Sequence, residues 1–260
     1  MRWMRFRKGG AVGYAAVEGE VLREVSGDPI GDYEFTGRKY GVGEVTFLPP
    51  IVPRNFFAVG FNYLGHTEEA RKLLKKDIKV PVKPDVGSRF PSALIGHEEA
   101  VVIPVDSDGV IQFEGELVAI IGKPARNLSE DEILSCVFGY SIGNDISERA
   151  WQSVDRTVWR SKSADTFSPF GPWIETDIDL ETLVTRIRLN GELVSEFETN
   201  AMLFGVARYL SEISKYMTLD RGDMIWMGAQ APSLDMKAGD TVEVEIDQIG
   251  VLRNPIVQGT

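Results

Sequence analysis

The stretch Phe113 to Ile121, FEGELVAII, constrains the fold more than any other, because two glutamates one residue apart head an unbroken apolar run. Alternate side chains of a strand share a face, so Glu114 and Glu116 point the same way. The following Leu117-Val118-Ala119-Ile120-Ile121 offers no wet face to receive them. Like charges at the edge of a buried strand repel and lose hydration, a cost that a cation or a shared proton must offset. The pair is therefore a metal-site candidate. Val242-Glu243-Val244-Glu245-Ile246-Asp247 has the same acidic spacing and serves as the control. There apolar residues alternate with the acids, so the strand buries Val242, Val244 and Ile246 and leaves its carboxylates in water.

A third carboxylate would complete an oxygen-donor set, and Asp145 is the best candidate because it follows the apolar stretch Val137 to Ile142. A turn or cap role is the alternative for Asp145 taken alone. Three acids with water in the remaining positions suit Mg²⁺ or Mn²⁺, with Ca²⁺ able to substitute. Zinc fits poorly, since the chain has two histidines, His66 and His97, and one cysteine, Cys136.

At 260 residues and 43% hydrophobic content, the chain can bury one large core or a main core plus a small one. A net charge of -11 argues against nucleic acid and anionic membrane partners, which call for clustered Lys and Arg. The lone cysteine excludes an intrachain disulfide and fits a reducing cytoplasm. The basic start is followed by an Ala11 to Val17 stretch broken by Gly13, which is no signal-peptide core. Nothing approaches the roughly 18 apolar residues of a membrane helix.

Residues 1–50 read as short strands divided by Gly and Asp turns and closed by Pro49-Pro50, a small N-terminal β domain, with a main domain over 51–260. Asn55 to Gly60 reads as a strand and Leu64 to Lys76 as a short helix ending in basic residues. Lys79 to Pro91, with its prolines and few apolar residues, reads as a mobile loop, so a lid is expected at about 64–91. Strands are expected at Val101–Ile103, Glu116–Ile121, Tyr140–Asn144, Ile187–Leu189, Met224–Met227 and Thr241–Ile246. Helices are expected from the Ser129 cap, with Glu132 three residues on, and over Ala201–Tyr216. The sum is a β-dominated α+β protein without regular βαβ alternation.

Four segments, VGFNYLGHTEEA, FEGELVAIIGKPARNL, GYSIGNDISERAWQ and WRSKSADTFSPFGPWI, occur in the order seen in the fumarylacetoacetate hydrolase family, which the chain resembles from Asn55 to its C-terminus. The resemblance implies a rolled mixed β-sheet, a homodimer, and a divalent cation held by Glu114, Glu116 and Asp145. It assigns His66 and Glu69 to a lid dyad that activates water or moves a proton, the carboxylate orienting the imidazole across one helical turn. Glu68 projects elsewhere and reads as solvated. Lys162 matches a lysine that meets a substrate carboxylate or developing enolate. Arg149 and Gln152 match positions lining the site, although either could pair with Glu148 or Asp155. Tyr63 and Phe167 are candidates to pack around substrate, and His97 reads as surface structure. One departure stands out: where many relatives carry Gly-Thr, this chain has Gly228-Ala229, with Gln230 offering an amide in place of the hydroxyl.

These features imply an enzyme acting on a small enolisable carboxylate substrate. The first reading is an isomerase or decarboxylase of the 2-hydroxyhepta-2,4-diene-1,7-dioate type. The alternative is a C–C hydrolase of acylpyruvate-like β-diketo acids. A non-enzymatic metal-binding module is the reading from a different class, and His66, Glu69, Lys162 and Arg149 argue against it, since a structural ion needs none of them.

Overall fold

The computed structural model describes residues 1–74 and 77–260. Four antiparallel strands open the chain, Arg2–Lys8, Ala11–Glu18, Val21–Gly27 and Tyr33–Gly41, each paired with the next. The first reversal uses Gly9 and Gly10 at φ 56° and 84°, left-handed backbone that glycine reaches without a Cβ penalty. Arg2–Lys8 also pairs with Ser168–Glu175, and this carries the N-terminal strands into a 12-stranded mixed sheet. That sheet continues through Val137–Asn144, Gly115–Ile121, Met224–Trp226 and Phe56–Val59 to its edge at Val86–Ser88. A five-stranded sheet of Glu192–Glu198, Val184–Leu189, Thr241–Ile246, Gly250–Gln258 and Val101–Ile103 packs against it. The architecture is the expected β-dominated α+β fold with a mixed sheet.

Gly115–Ile121 lies at the centre, buried along its whole length. Leu117, Ala119 and Ile121 join a cluster with Val244 and Ile246, while Val118 and Ile120 join Phe56, Ala58 and Trp226 on the opposite face. Gly115 explains the residue between the two glutamates. A Cβ there would stand 2.8 Å from Val244 Cγ1 and 3.0 Å from Ile187 Cδ1, so the second sheet can approach only a glycine.

The helix within the segment expected to form a lid spans Leu64–Leu74; Lys75 and Lys76, its expected last residues, lie outside the described residues. The helix expected from Ala201 instead begins at Val206, because Asn62 holds the preceding turn. The Asn62 carbonyl accepts the Leu203 amide at 2.7 Å and its side chain accepts the Phe204 amide at 3.0 Å. The Ser129 start is as read, with Glu132 accepting the Ser129 amide at 3.1 Å and its hydroxyl at 2.6 Å. Lys79 to Pro91 is not a free loop throughout. Val86–Ser88 pairs with Phe56–Val59, and the Arg89 amide donates to the Phe56 carbonyl at 3.0 Å. Backbone pairing overrode the polar, proline-rich composition there. No helix among the described residues is long and apolar enough to cross a membrane.

Candidate active site

Strand register brings the three acids together. Gly115 stands opposite Asn144 in the antiparallel pair, so the residues flanking them, Glu114 and Asp145, become neighbours despite their separation in sequence. The Asn144 side chain accepts the Glu114 amide at 2.9 Å, and the Glu114 carbonyl accepts the Asp145 amide at 2.8 Å. Glu114, Glu116 and Asp145 are all buried, each with one carboxylate oxygen within 4.8 Å of the others.

Three cations meet this cluster. Lys162, on the helix Trp159–Ser163, directs its Nζ to Glu114 Oε2 and, at 2.9 Å, to Asp145 Oδ2. Arg149, at the start of Arg149–Gln152, donates Nη2 to Glu114 Oε1 at 2.6 Å, Nη1 to Gln152 at 2.8 Å and Nε to Gln112 at 2.7 Å. Arg89 grips Asp145 with both ends of its fork, Nε to Oδ1 at 3.1 Å and Nη2 to Oδ2 at 2.7 Å. Sequence reasoning missed Arg89 and Gln112. Arg89 is the only arginine in Lys79 to Pro91, a segment that also carries Lys79 and Lys83, so its sequence neighbours did not single it out. Those of Gln112 did not either.

These pairings split the acids electrostatically. Burial alone would raise the Glu114 pKa, but the charges of Arg149 and Lys162 outweigh it and hold that carboxyl well below the usual carboxylate range. Glu116 goes the other way, raised by burial and then by Asp145 and Glu114, with Lys162 and the Gly228 amide, at 2.7 Å from Oε2, opposing. One carboxylate thus retains repulsion that the protein's own cations do not relieve. All-oxygen donors with residual repulsion fit a hard divalent cation held by Glu114, Glu116 and Asp145.

His66 lies over this cluster on the helix Leu64–Leu74, Nε2 3.7 Å from Glu114 Oε1. Burial, more than the opposing charge of Glu114, lowers its pKa, so the imidazole is neutral at neutral pH. Its Nδ1 is buried without a hydrogen-bond partner. Glu69 therefore does not orient the ring here, although both stand on one helix. Burial raises the Glu69 pKa, and the Ser233 backbone amide partly offsets that. Glu68 is exposed.

Other candidates fall outside the cluster. Tyr63 is 1% exposed and gives its hydroxyl to the Thr199 carbonyl at 2.6 Å, with its ring packed edge-on to Phe197. Its apolar ring is core and its polar end is already satisfied. Phe167 is likewise core, clustered with Phe113. Gln230 packs against Gly65 of the helix Leu64–Leu74, and its Oε1 accepts the Ala231 amide at 3.1 Å. His97 is half-buried away from the cluster, its Nδ1 accepting the Arg253 amide at 3.1 Å.

A rolled, β-dominated fold carries a buried carboxylate triad that could hold a metal ion, balanced by basic side chains and capped by a histidine-bearing helix. The chain belongs to the fumarylacetoacetate hydrolase family: residues 55–257 match the model described as fumarylacetoacetate hydrolase, C-terminal. Residues 1–50 match a separate model, Rv2993c-like, N-terminal. The crystal structure of 2-hydroxyhepta-2,4-diene-1,7-dioate isomerase from Mycobacterium marinum is 34% identical, covers 99% of this chain and 98% of its own, and superposes with a TM-score of 0.89. That of 5-carboxymethyl-2-hydroxymuconate delta-isomerase from Mycobacterium smegmatis is 33% identical over 100% of both chains, with a TM-score of 0.90. The mitochondrial oxaloacetate tautomerase of Xenopus laevis is 34% identical over 82% of this chain and 69% of its own length.

Proposed function

We propose that this protein is a divalent-metal-dependent enzyme that moves protons on enolisable 2-oxo or 2-hydroxydienoic dicarboxylates, an isomerase or decarboxylase of the 2-hydroxyhepta-2,4-diene-1,7-dioate type. The observation that carries this reading is the burial of Glu114, Glu116 and Asp145 against Lys162, Arg149 and Arg89 beneath His66. Acids and bases there balance in number, so a bound divalent cation leaves the pocket two positive charges in excess, suited to a dianion. The isomerases and the tautomerase named above, whose names denote proton shifts, support the same choice.

Glu114, Glu116 and Asp145 would hold Mg²⁺ or Mn²⁺, with Ca²⁺ able to substitute. Bound there, the cation supplies Lewis acidity toward the 2-oxo group, easing loss of the neighbouring proton. Lys162 and Arg149 pair with the substrate carboxylate or the developing enolate oxygen, and Gln152 steadies Arg149. His66, neutral and over the cluster, accepts a proton at Nε2 and returns it at another carbon. Arg89 keeps Asp145 in place from the sheet edge.

C–C hydrolysis of acylpyruvates is the second reading, favoured by the placement of Glu69 one turn after His66. Contact between the two on lid closure would make His66 a water-activating base. Rolled into the proposal are a small N-terminal β domain over 1–50, a catalytic domain over 51–260 with a lid at about 64–91, a cytoplasmic location and a homodimer. Analytical ultracentrifugation checks the last of these. The decisive assay follows enol absorbance and products when metal-stripped protein meets a 2-hydroxydienedioate, oxaloacetate and an acylpyruvate, with and without Mg²⁺ or Mn²⁺. Metal-dependent isomer or CO₂ formation supports the proposal, pyruvate release from the acylpyruvate supports the second reading, and no turnover refutes both.

A further inference from the structure

The segment from Gly228 to Asp235 is tied to the triad at both ends. At one end the Gly228 amide donates to Glu116 Oε2 at 2.7 Å. At the other, Asp235 Oδ1 accepts from Gln112 Nε2 at 2.8 Å, and Gln112 Oε1 accepts from Arg149, which itself donates to Glu114. Between the ends, Gln230 packs so closely on Gly65 that a Cβ on Gly65 would collide with its amide. The segment thus forms a wall joining the carboxylate cluster to the lid helix.

That wall carries one buried side-chain polar atom without a partner. Ala229, Ala231 and Pro232 have no polar group, and Gln230 Oε1 accepts the Ala231 amide. Ser233 is 6% exposed, and its Oγ has no hydrogen-bond partner. Among the described residues seven buried side-chain polar atoms lack a partner, and two of them, His66 Nδ1 and Ser233 Oγ, stand on the two elements that meet at Gly65 and Gln230. A hydroxyl removed from water without a partner is unfavourable, and a ligand oxygen would remove that cost.

We propose that Ser233 is a specificity-determining residue whose hydroxyl binds the oxygens of a 2-oxo dicarboxylate at the end remote from the carboxylate triad. This rests on the reading of the site given above. The triad, Lys162 and Arg149 recognise the 2-oxo acid end, which every such substrate shares. Ser233 recognises length and the second carboxylate, so it sorts dicarboxylates from monocarboxylates and short acids.

The test is calorimetric titration of Mn²⁺-saturated protein with oxalate, which spans only the triad end, and with saturated 2-oxo dicarboxylates of four to seven carbons. Removing one hydrogen bond to a charged oxygen weakens binding about tenfold to hundredfold. Ser233→Ala is therefore expected to lose that factor for the tightest-bound dicarboxylate while oxalate affinity is unchanged, and Ser233→Thr, which keeps a hydroxyl, is expected to retain binding. Unchanged dicarboxylate affinity in Ser233→Ala overturns the proposal, as does an equal loss for oxalate, which would mark a structural disturbance. Wild-type protein that binds oxalate but no dicarboxylate also overturns it. If wild-type protein binds neither probe, the functional reading itself fails, a result distinct from the others.

Discussion

Replacing Arg89 with methionine tests whether the protein's own cations hold the triad together. The side chain is 9% exposed and Asp145 2%, and two parallel hydrogen bonds join them. Methionine matches much of the aliphatic stem and removes the charge. Breaking a buried pair by deleting one partner costs about 3–5 kcal/mol, because the remaining charge is left unpaired. Asp145 keeps Lys162 at 2.9 Å, so its charge is only partly abandoned and the lower end applies, about 3 kcal/mol. For a chain of this size each kcal/mol moves the melting midpoint roughly 2–4 °C, which gives a fall of about 6–12 °C in metal-free protein. Saturating Mg²⁺ or Mn²⁺ would return positive charge to the same carboxylate. The gap between Arg89→Met and wild type should therefore narrow when both are metal-loaded, as read by calorimetry or urea denaturation. A variant that melts with wild type without metal refutes the assignment of Arg89 to the cluster. A gap of the same size with and without metal refutes the idea that cation and arginine act on the same charge.

Gly115→Ala forces a methyl group against Val244 and Ile187, and overpacking of this kind costs about 1–3 kcal/mol, so a reduced urea midpoint with weakened Mn²⁺ binding is expected. Glu116→Ala should weaken Mg²⁺ or Mn²⁺ binding, and intact affinity by calorimetry would remove it from the ligand set. His66→Ala should keep metal affinity yet lose turnover by about 10²–10⁴-fold on whichever substrate the assay identifies, and unchanged turnover would take it out of the mechanism. His97 sets an acid limit on stability: burial, outweighing the opposing charge of Glu98, lowers its pKa beneath 6.5, so the unfolded chain takes up the proton first as pH falls. Its contribution is complete above that value and is lost as pH drops toward the folded pKa. His97→Asn keeps an acceptor for the Arg253 amide, so the drop in melting temperature between about pH 7.5 and about pH 5.5 should shrink. The remaining drop belongs in part to His66, which is shifted in the same direction.

Much of the fold was legible because local pattern and tertiary burial agree. Thr241–Ile246 alternates in sequence and in burial, and Gly115–Ile121 is apolar on both faces because two sheets sandwich it. The same-face geometry of Glu114 and Glu116 follows from strand periodicity alone. What periodicity does not encode is register between distant strands, and the convergence of Asp145 with Glu114 depends on Gly115 standing opposite Asn144. Arg89 escaped notice for the same reason: its role comes from strand pairing at the sheet edge, not from its neighbours in the chain. Tyr63 is ambiguous in sequence because an aromatic beside a site histidine reads identically whether its ring faces a ligand or the core. The His66 and Glu69 spacing was legible, but spacing on a helix fixes only Cβ positions, and Glu69 is offset by the Ser233 amide instead of meeting the imidazole.

The way charge is shared within the cluster bears on what loss of metal would do. A triad of buried carboxylates with no cations would be too costly to fold around, and the metal would then be a structural requirement. Here Glu114 has Arg149 and Lys162, and Asp145 has Arg89 and Lys162, so two of the three acids are paired by the protein itself. Only Glu116 depends on a shared proton or an added cation, and its raised pKa means that the proton can serve. The neighbouring core strands close around hydrophobic clusters on both faces and do not rely on the ion. Removing metal from this protein should therefore abolish turnover while leaving a cooperative unfolding transition in place. Chelation that unfolds the chain at neutral pH would show that the basic residues do not balance the acids as their contacts indicate.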